Sequence, residues 1–399
     1  MNIVIQKFGG TSVSDMSKRS MVTKKIKNSI KKGKSPVVVV SAMGRLGEPY
    51  STDSLVMLVK ENNRHISLRE LDLIMSVGEI ISSVLMVDTL NSIGVDAWAF
   101  TGGQAGIITD KNFGEANILD VRPDLVIDCI NRGIVPVVAG FQGVAEDGEI
   151  TTLGRGGSDT TAAVLAKALF AEQIEIYTDV DGIMTADPRI VPNARKLDSL
   201  SYSETLEIAD QGAKVIHPGA IVVAMKQQIP IVIKNTASDT PGTIISTRIS
   251  ERKNKCPATS IVHIKGRAQI RFECSNIKRQ LHLLKLLADE GISLDIINIF
   301  PDHMLFSIDQ LVLRKVKEIL ETESTTYVIT ENLSKISVVG EQMKGVPGVM
   351  FRIIKLLNDK NIKILQTSDS HTTISCLVKE QDIKKAISIL HEGFNLHKS

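Results

Sequence analysis

The chain has 399 residues, more than one ordinary domain holds, which predicts two or three compact units, each large enough to bury its own core. Lys and Arg number 47 against 45 Asp and Glu, with no long block of like charge, which argues against nucleic acid as a partner. The most apolar run, "PVVVVSAMG" from Pro36, falls well short of the roughly 20 residues of a membrane helix, so no membrane association is expected. Four scattered cysteines, Cys129, Cys256, Cys274 and Cys376, form no CxxC pair. They fit a reducing cytoplasm rather than a disulfide framework or a zinc site.

The first element, "IVIQKFGGTSVSD", reads as a strand ending at Lys7, a tight turn at Gly9 and Gly10, and a helix start rich in hydroxyls at Thr11, Ser12 and Ser14. Amides in such a turn cradle phosphate, and a lysine directly after the strand sets a compact ammonium against phosphoryl oxygens. A plain strand-turn-helix with a solvated lysine is the bland alternative. The nearby "GKS" at Gly33 is no P-loop, because Asn28 stands where the first glycine belongs.

Further along, "SPVVVVSA", "VDAWAF", "GIVPVVAG", "IEIYTD" and "IPIVIKN" repeat the short β-branched pattern of the first strand. Several are apolar on both faces, as central parallel strands under helices should be, which predicts an α/β sheet. Between "SPVVVVSA" and "VDAWAF", "MSVGEIISSVLM" carries Glu79 as a lone acid in an apolar helical pattern. That position is either a helix surface or a site.

"LGRGGSDTTAAVLAKAL" is a glycine-rich turn running into a helix. Asp159 stands where a dinucleotide fingerprint needs glycine, and the turn lacks the Walker lysine. Arg155 between the glycines suits a two-pronged grip on a carboxylate. Ser158 and Asp159 fall where a helix N-cap belongs, and capping alone explains an aspartate there. The loop "IYTDVDGIMTADPR" sets Asp179, Asp181, Asp187 and Arg189 after a strand. These groups suit a ribose, a hydrated Mg2+ or phosphate, although Asp-Gly and Asp-Pro are also ordinary turn chemistry. Lys214 in "GAKVIHP" is either a site cation or a solvated one.

After Thr247 the text turns polar, "TRISERKNKCPATS", and predicts a linker up to Ser260. Beyond it, "LKLLADEGISLDIIN" aligns without a gap on "IKLLNDKNIKILQTS". Each is flanked by strand-like runs, so the pattern β-α-β-β is expected twice. Two such small units are expected to pack side by side or across a dimer axis.

Taken in order, "KFGGTSV", "VVVVSAMG", "GRGGSDTTAA", "YTDVDGIMTADPR" and "GAKVIHP" resemble the aspartokinases over essentially the whole chain. The resemblance implies an amino-acid-kinase fold, a three-layer αβα domain with a mainly parallel sheet over residues 1–247, followed by two ferredoxin-like ACT domains over 260–330 and 331–399. It implies phosphorylation of L-aspartate by ATP with Mg2+, giving 4-phospho-L-aspartate at the entry to lysine, threonine and methionine synthesis.

By resemblance, Lys7 is the cation at the phosphoryl group, with Asp159 beside it as a catalytic residue. Ser41, Thr52, Glu79, Arg155, Ser158 and Asp159 form the aspartate pocket, with Arg155 on the α-carboxylate and the two acids on the α-ammonium. Lys7, Phe8, Gly9, Gly10, Thr178, Asp179, Met184, Arg189, Lys214 and Val215 are the nucleotide contacts. Met184 stands where many relatives carry an aromatic residue. A homodimer through the ACT domains is implied, with an amino-acid effector. The segments "SAMGRLGEPYSTDS" and "ILQTSDSHTTIS" look most like the meso-diaminopimelate-sensitive subgroup, which ranks that compound ahead of lysine or threonine. A sibling acidic-amino-acid kinase of the same fold and an inert ACT-based sensor are the competing readings.

Overall fold

A computed structural model describes residues 2–60, 65–213, 215–247, 256–322, 326–340, 343 and 346–398. The chain separates into two compact units, each taken without its undescribed residues. The first comprises Met1–Ile183, Lys196–Ala209 and Lys214–Glu251, and the second Met184–Arg195, Asp210–Ala213 and Arg252–Ser399.

All six apolar runs read as buried strands lie in one eight-stranded sheet of the first unit. Its order is Ser199–Leu200, Thr243–Ile245, Ile231–Asn235, Gln173–Thr178, Ile3–Phe8, Ser35–Val40, Val135–Ala139 and Ala97–Phe100. Every neighbouring pair is parallel except Ile231–Asn235 with Thr243–Ile245. The helices Met16–Lys31 and Leu68–Asn91 cover one face, where Val22, Ile26, Met86 and Leu90 pack on Phe8, Val38, Val40 and Tyr177. The helix Gly157–Ala168 lies against the central strands as well. A four-stranded sheet, Ile118–Val121, Ile107–Thr109, Gln142–Ala145 and Ile150–Thr152, stands beside them.

The helix Leu68–Asn91 corrects one expectation, because by length and composition it is apolar enough to cross a membrane. It carries buried charge with partners in this unit, however. The two Asp72 carboxylate oxygens accept from the amides of Gly114 and Thr152 and from the Thr152 hydroxyl, at 2.7–3.0 Å. A buried acid satisfied by its own unit's backbone marks a core helix.

In the second unit six strands form one antiparallel sheet, ordered Asp295–Ile299, His303–Asp309, Ser260–Glu273, Tyr327–Val339, Thr373–Lys379 and Gln366–Asp369. Each repeat is β-α-β-β with a further helix, Leu313–Thr322 in the first and Ile383–Gly393 in the second. The two cores do not divide where the repeats do. The pairing of the long strands Ser260–Glu273 and Tyr327–Val339 slips between Ile264 and Arg267, and Gly266 there has φ of 66°.

Before the slip, Ala258 and Ile261 pack with Ile336, Val338, Ile353 and Leu390 of the second repeat. After it, Ala268, Ile270 and Phe272 pack with Leu283, Phe306 and Val316 of the first. The opening of the first repeat's strand therefore belongs to the second repeat's core. Of the expected linker, residues 248–255 lie outside the described residues.

Candidate functional site

Lys7 and Phe8 end the strand Ile3–Phe8, and strand alternation sends them to opposite faces of the sheet. The Phe8 ring is fully buried and stacks on Tyr177, with centroids 4.6 Å apart. Lys7 takes the other face, and its Nζ lies 2.6 Å from Oδ1 of Asp159. Asp159 sits in the first turn of the helix Gly157–Ala168, and its Oδ2 accepts the His217 N–H at 3.2 Å. The ammonium is thus held at the mouth of the sheet by a carboxylate that is itself fixed by backbone.

Two glycines make the approach possible. A Cβ at Gly10 would collide with the carbonyl oxygen of Ala42, so the first turn and the loop after the strand Ser35–Val40 touch backbone to backbone. The Gly44 N–H donates to the Gly10 carbonyl, and the Ser41 N–H to that of Phe8, both at 3.2 Å. At Gly156, φ is 69° and a Cβ would run into the His217 ring. No side chain caps the helix that follows, so its start is built from glycine backbone, a form suited to an anion.

Glu79 reaches the same loop from the helix Leu68–Asn91 and is 3% exposed. Its Oε1 accepts the Ala42 N–H at 3.0 Å, while Oε2 is buried with no hydrogen-bond partner. Burial pushes the carboxyl up to about 8, against the opposing pull of the Ala42 amide and of the Lys7 charge. Oε2 is thus a buried polar atom that the protein itself leaves unsatisfied. Ser41 is half-buried and Ser158 buried, while Arg155 stands exposed on the glycine turn. Thr52 opens the helix Thr52–Lys60, and the buried Ser51 hydroxyl accepts the Ser54 N–H at 3.3 Å.

On the neighbouring edge, the Gly9 N–H donates to the Tyr177 carbonyl at 3.3 Å, and the Thr236 N–H to that of Thr178 at 2.9 Å. The hydroxyls of Ser12 and Thr236 are 2.7 Å apart. Asp179 pairs with Arg45 at 3.0 Å.

Two family models match the chain: the amino acid kinase family over residues 2–235 and the ACT domain over residues 328–392. Aspartokinase 1 of Bacillus subtilis (strain 168) is 43% identical over 404 residues, covering 100% of both chains. The chain belongs to the aspartokinase family. E. coli aspartokinase III, solved with aspartate and ADP, has a TM-score of 0.80 at 24% identity, over 98% of this chain and 99% of that one. This agrees in fold. The same E. coli enzyme solved with lysine and aspartate has a TM-score of 0.76 at 25% identity, over 99% and 100%.

Lys7, Ser41, Glu79, Ser158 and Asp159 of this aspartokinase converge in the first unit, and Gly9, Gly10, Thr178 and Asp179 border them. Phe8 offers only its backbone, because its ring is core. Met184 and Arg189 lie on the segment that packs with the second unit, where Arg189 is engaged by Asp187 at 2.8 Å. They are not brought to the cradle within one unit. Val215 is half-buried two residues before His217, and Lys214 lies outside the described residues.

Arg45, Thr236 and His217 went unnoticed in the sequence. For Thr236 a signal existed, since hydroxyls just past the carboxyl end of a parallel strand line ligand crevices.

Proposed function

We propose that the protein transfers the γ-phosphoryl group of ATP to the β-carboxylate of L-aspartate, giving 4-phospho-L-aspartate. The observation that carries this reading is Lys7 paired with Asp159, beside a buried Glu79 with one unpartnered carboxylate oxygen. In this reading Glu79 and Asp159 receive the substrate's α-ammonium, and Ser41, Thr52 and Ser158 line the pocket. Arg155 grips the α-carboxylate with two parallel hydrogen bonds.

The β-carboxylate has an ordinary pKa of about 4, so it is already ionised and needs no general base. What remains is alignment and neutralisation of the charge that builds on the transferring oxygens, supplied by Lys7 beside the close backbone approach that Gly9 and Gly10 allow. Thr178, Asp179 and Val215 stand on the nucleotide side, with Lys214 by resemblance. Mg2+ arrives as part of the substrate Mg2+–ATP. Among the described residues no three Asp, Glu, His or Cys side chains cluster to hold a metal on their own, and magnesium on a triphosphate needs few protein ligands.

The tandem repeats bind an amino-acid end product and join two copies of the chain as a homodimer in the cytoplasm. E. coli aspartokinase III has been solved in complex with lysine and aspartate in a T-state; meso-diaminopimelate ranks ahead of lysine or threonine here because of the segments "SAMGRLGEPYSTDS" and "ILQTSDSHTTIS". In the second repeat Gly348 has φ of 88° and begins the helix Val349–Asn358. In the first, Asn276 takes that place and its side chain accepts the Lys278 N–H. A glycine turn admits a ligand close to backbone where a side-chain cap does not, which favours the second repeat as the effector site.

The test is hydroxylamine trapping of acyl phosphate with ATP, Mg2+ and a panel of acidic amino acids. Trapping with L-aspartate and little with L-glutamate is expected. Equal trapping of both would overturn the assignment.

A further inference from the structure

In the first unit, the loop between the strand Ser35–Val40 and the helix Thr52–Lys60 is fastened at both ends. At its start the Ala42 N–H donates to the Glu79 carboxylate at 3.0 Å, and the Gly44 N–H to the Gly10 carbonyl at 3.2 Å. Its two ends meet on the helix Leu68–Asn91, where a Cβ at Gly78 would come within 2.8 Å of the Ala42 Cβ and 2.9 Å of the Tyr50 carbonyl oxygen. Between these anchors the tip stands out into solvent, with the Arg45 side chain 68% and Leu46 64% exposed.

Arg45 is nevertheless aimed. Its Nη2 donates to Oδ2 of Asp179 at 3.0 Å, and the Thr178 hydroxyl donates to Oδ1 of the same carboxylate at 3.3 Å. Arg45 follows the strand Ser35–Val40 and Asp179 the strand Gln173–Thr178. The strand between those two in the sheet is Ile3–Phe8, which ends in the turn at Gly9 and Gly10. Neighbouring strands lie about 4.8 Å apart, so the Arg45 side chain reaches across that glycine turn from one side to the other. Lys7 stands at the same turn, because a Cβ at Gly9 would lie 4.0 Å from its Nζ.

The two ends of this reach have different roles. The loop that carries Arg45 is bound to Glu79, on the acceptor side, whereas Thr178 and Asp179 are on the nucleotide side. A transferred group lies between its donor and its acceptor, and that is the gap the guanidinium spans. Both members of the pair are exposed, Asp179 at 59%, so the pair stabilises little and opens readily. Among the described residues the guanidinium commits one nitrogen, Nη2, which leaves its planar fork able to face two oxygens of a phosphoryl group.

We propose that Arg45 is a further catalytic residue: when the nucleotide binds, its guanidinium leaves Asp179 for the terminal phosphoryl group of ATP. Asp179 is the resting partner that keeps it aimed across the turn. In the transfer the bond from the terminal phosphorus to the ADP oxygen breaks, with its electron pair going to ADP, and a bond to the aspartate β-carboxylate forms. Arg45 stays protonated throughout and stabilises the charge on the moving group, opposite Lys7. This rests on the kinase reading above and adds a residue to that site.

The test uses Arg45→Ala, Arg45→Gln and Arg45→Lys in the full chain. The readouts are kcat, aspartate KM, melting temperature, and the Kd of ADP and of the non-hydrolysable analogue β,γ-imido-ATP, each with Mg2+ by calorimetry. Ala and Gln should weaken the analogue about tenfold or more, the worth of a hydrogen bond to a charged group, and lower kcat by at least as much. ADP affinity and aspartate KM should stay within about twofold. Lys keeps the charge without the fork and should fall between. An exposed side chain leaves the melting temperature as in the wild type.

Analogue affinity and kcat unchanged in Arg45→Ala would overturn the proposal. So would equal weakening of ADP and the analogue, or a raised aspartate KM with the analogue unaffected, which would make Arg45 a support of the acceptor loop. Calorimetry needs no acceptor, so a wild type that binds both nucleotides but ignores aspartate would sink the substrate assignment and leave this test standing. A wild type that binds neither nucleotide would sink both.

Discussion

Replacing Glu79 by Gln tests the pocket at its most unusual group. Gln keeps the size of the side chain and an oxygen for the Ala42 N–H, and removes the charge that meets the substrate's ammonium. With the free-protein pKa at about 8, the wild type must ionise Glu79 to bind aspartate, so binding releases a proton. The cost scales as 1 + 10^(8 − pH), and between pH 6.5 and 8.5 it changes on the order of 20-fold. Aspartate KM should therefore fall by about that factor over the interval in the wild type. In Glu79→Gln it should be nearly flat and, at pH 8.5, about 10-fold to 100-fold higher, the usual worth of a hydrogen bond to a charged group.

Stability carries the same signature. A carboxyl with a raised folded-state pKa binds more protons folded than unfolded between about pH 4.5 and 8. The wild type therefore loses stability across that window as pH rises, and the Gln variant loses less. Initial rates across pH, with melting curves alongside, give both quantities. A wild-type aspartate KM that does not change with pH, matched by the variant, would refute the role of Glu79.

Lys7→Ala should lower kcat on the order of 100-fold or more, because it acts on charge that develops in the transition state, whereas Arg155→Ala should chiefly raise aspartate KM; a Lys7→Ala enzyme with near-normal kcat would reverse this. Gly10→Ala drives a methyl into the Ala42 carbonyl and should cost about 1–3 kcal/mol of stability by denaturant unfolding. Gly9→Ala meets nothing nearer than 3.8 Å, so it should melt like the wild type and show its effect in ATP KM. Titrating meso-diaminopimelate, lysine and threonine while following activity and melting temperature should find one that moves both, with meso-diaminopimelate first; if none moves either one, the repeats have no regulatory ligand among these.

The strands of the first unit were legible because "IVI", "PVVVV" and "PVVA" are short β-branched runs apolar on both faces, and their alternation with helical patterns favours a covered parallel sheet. Lys7 was legible for the same reason, and the period of two that sends it to the site also sends the Phe8 ring into the core. The role of Glu79 was not decidable from its helix. Whether a lone acid in an apolar pattern faces water or a pocket depends on Ala42, a residue 37 positions away.

The assignment of Met184–Arg195 to the second unit was hidden for a related reason. "GIMTADPR" reads as one loop, and only the packing of Ala186 and Val191 assigns its outer part to the second repeat. The division of the long strand Ser260–Glu273 between two cores hangs on the register slip at Gly266; a lone glycine in a strand pattern signals a bulge, but not which core each half joins.

The central claim is tested most directly by identifying the carboxyl group that is phosphorylated. Incubation with ATP, Mg2+ and L-aspartate, followed by borohydride reduction, converts an acyl phosphate into the corresponding alcohol. Homoserine as the reduced product is the result predicted here. The isomer reduced at the α-carboxyl, or an ATP-dependent yield no greater than without protein, would contradict it.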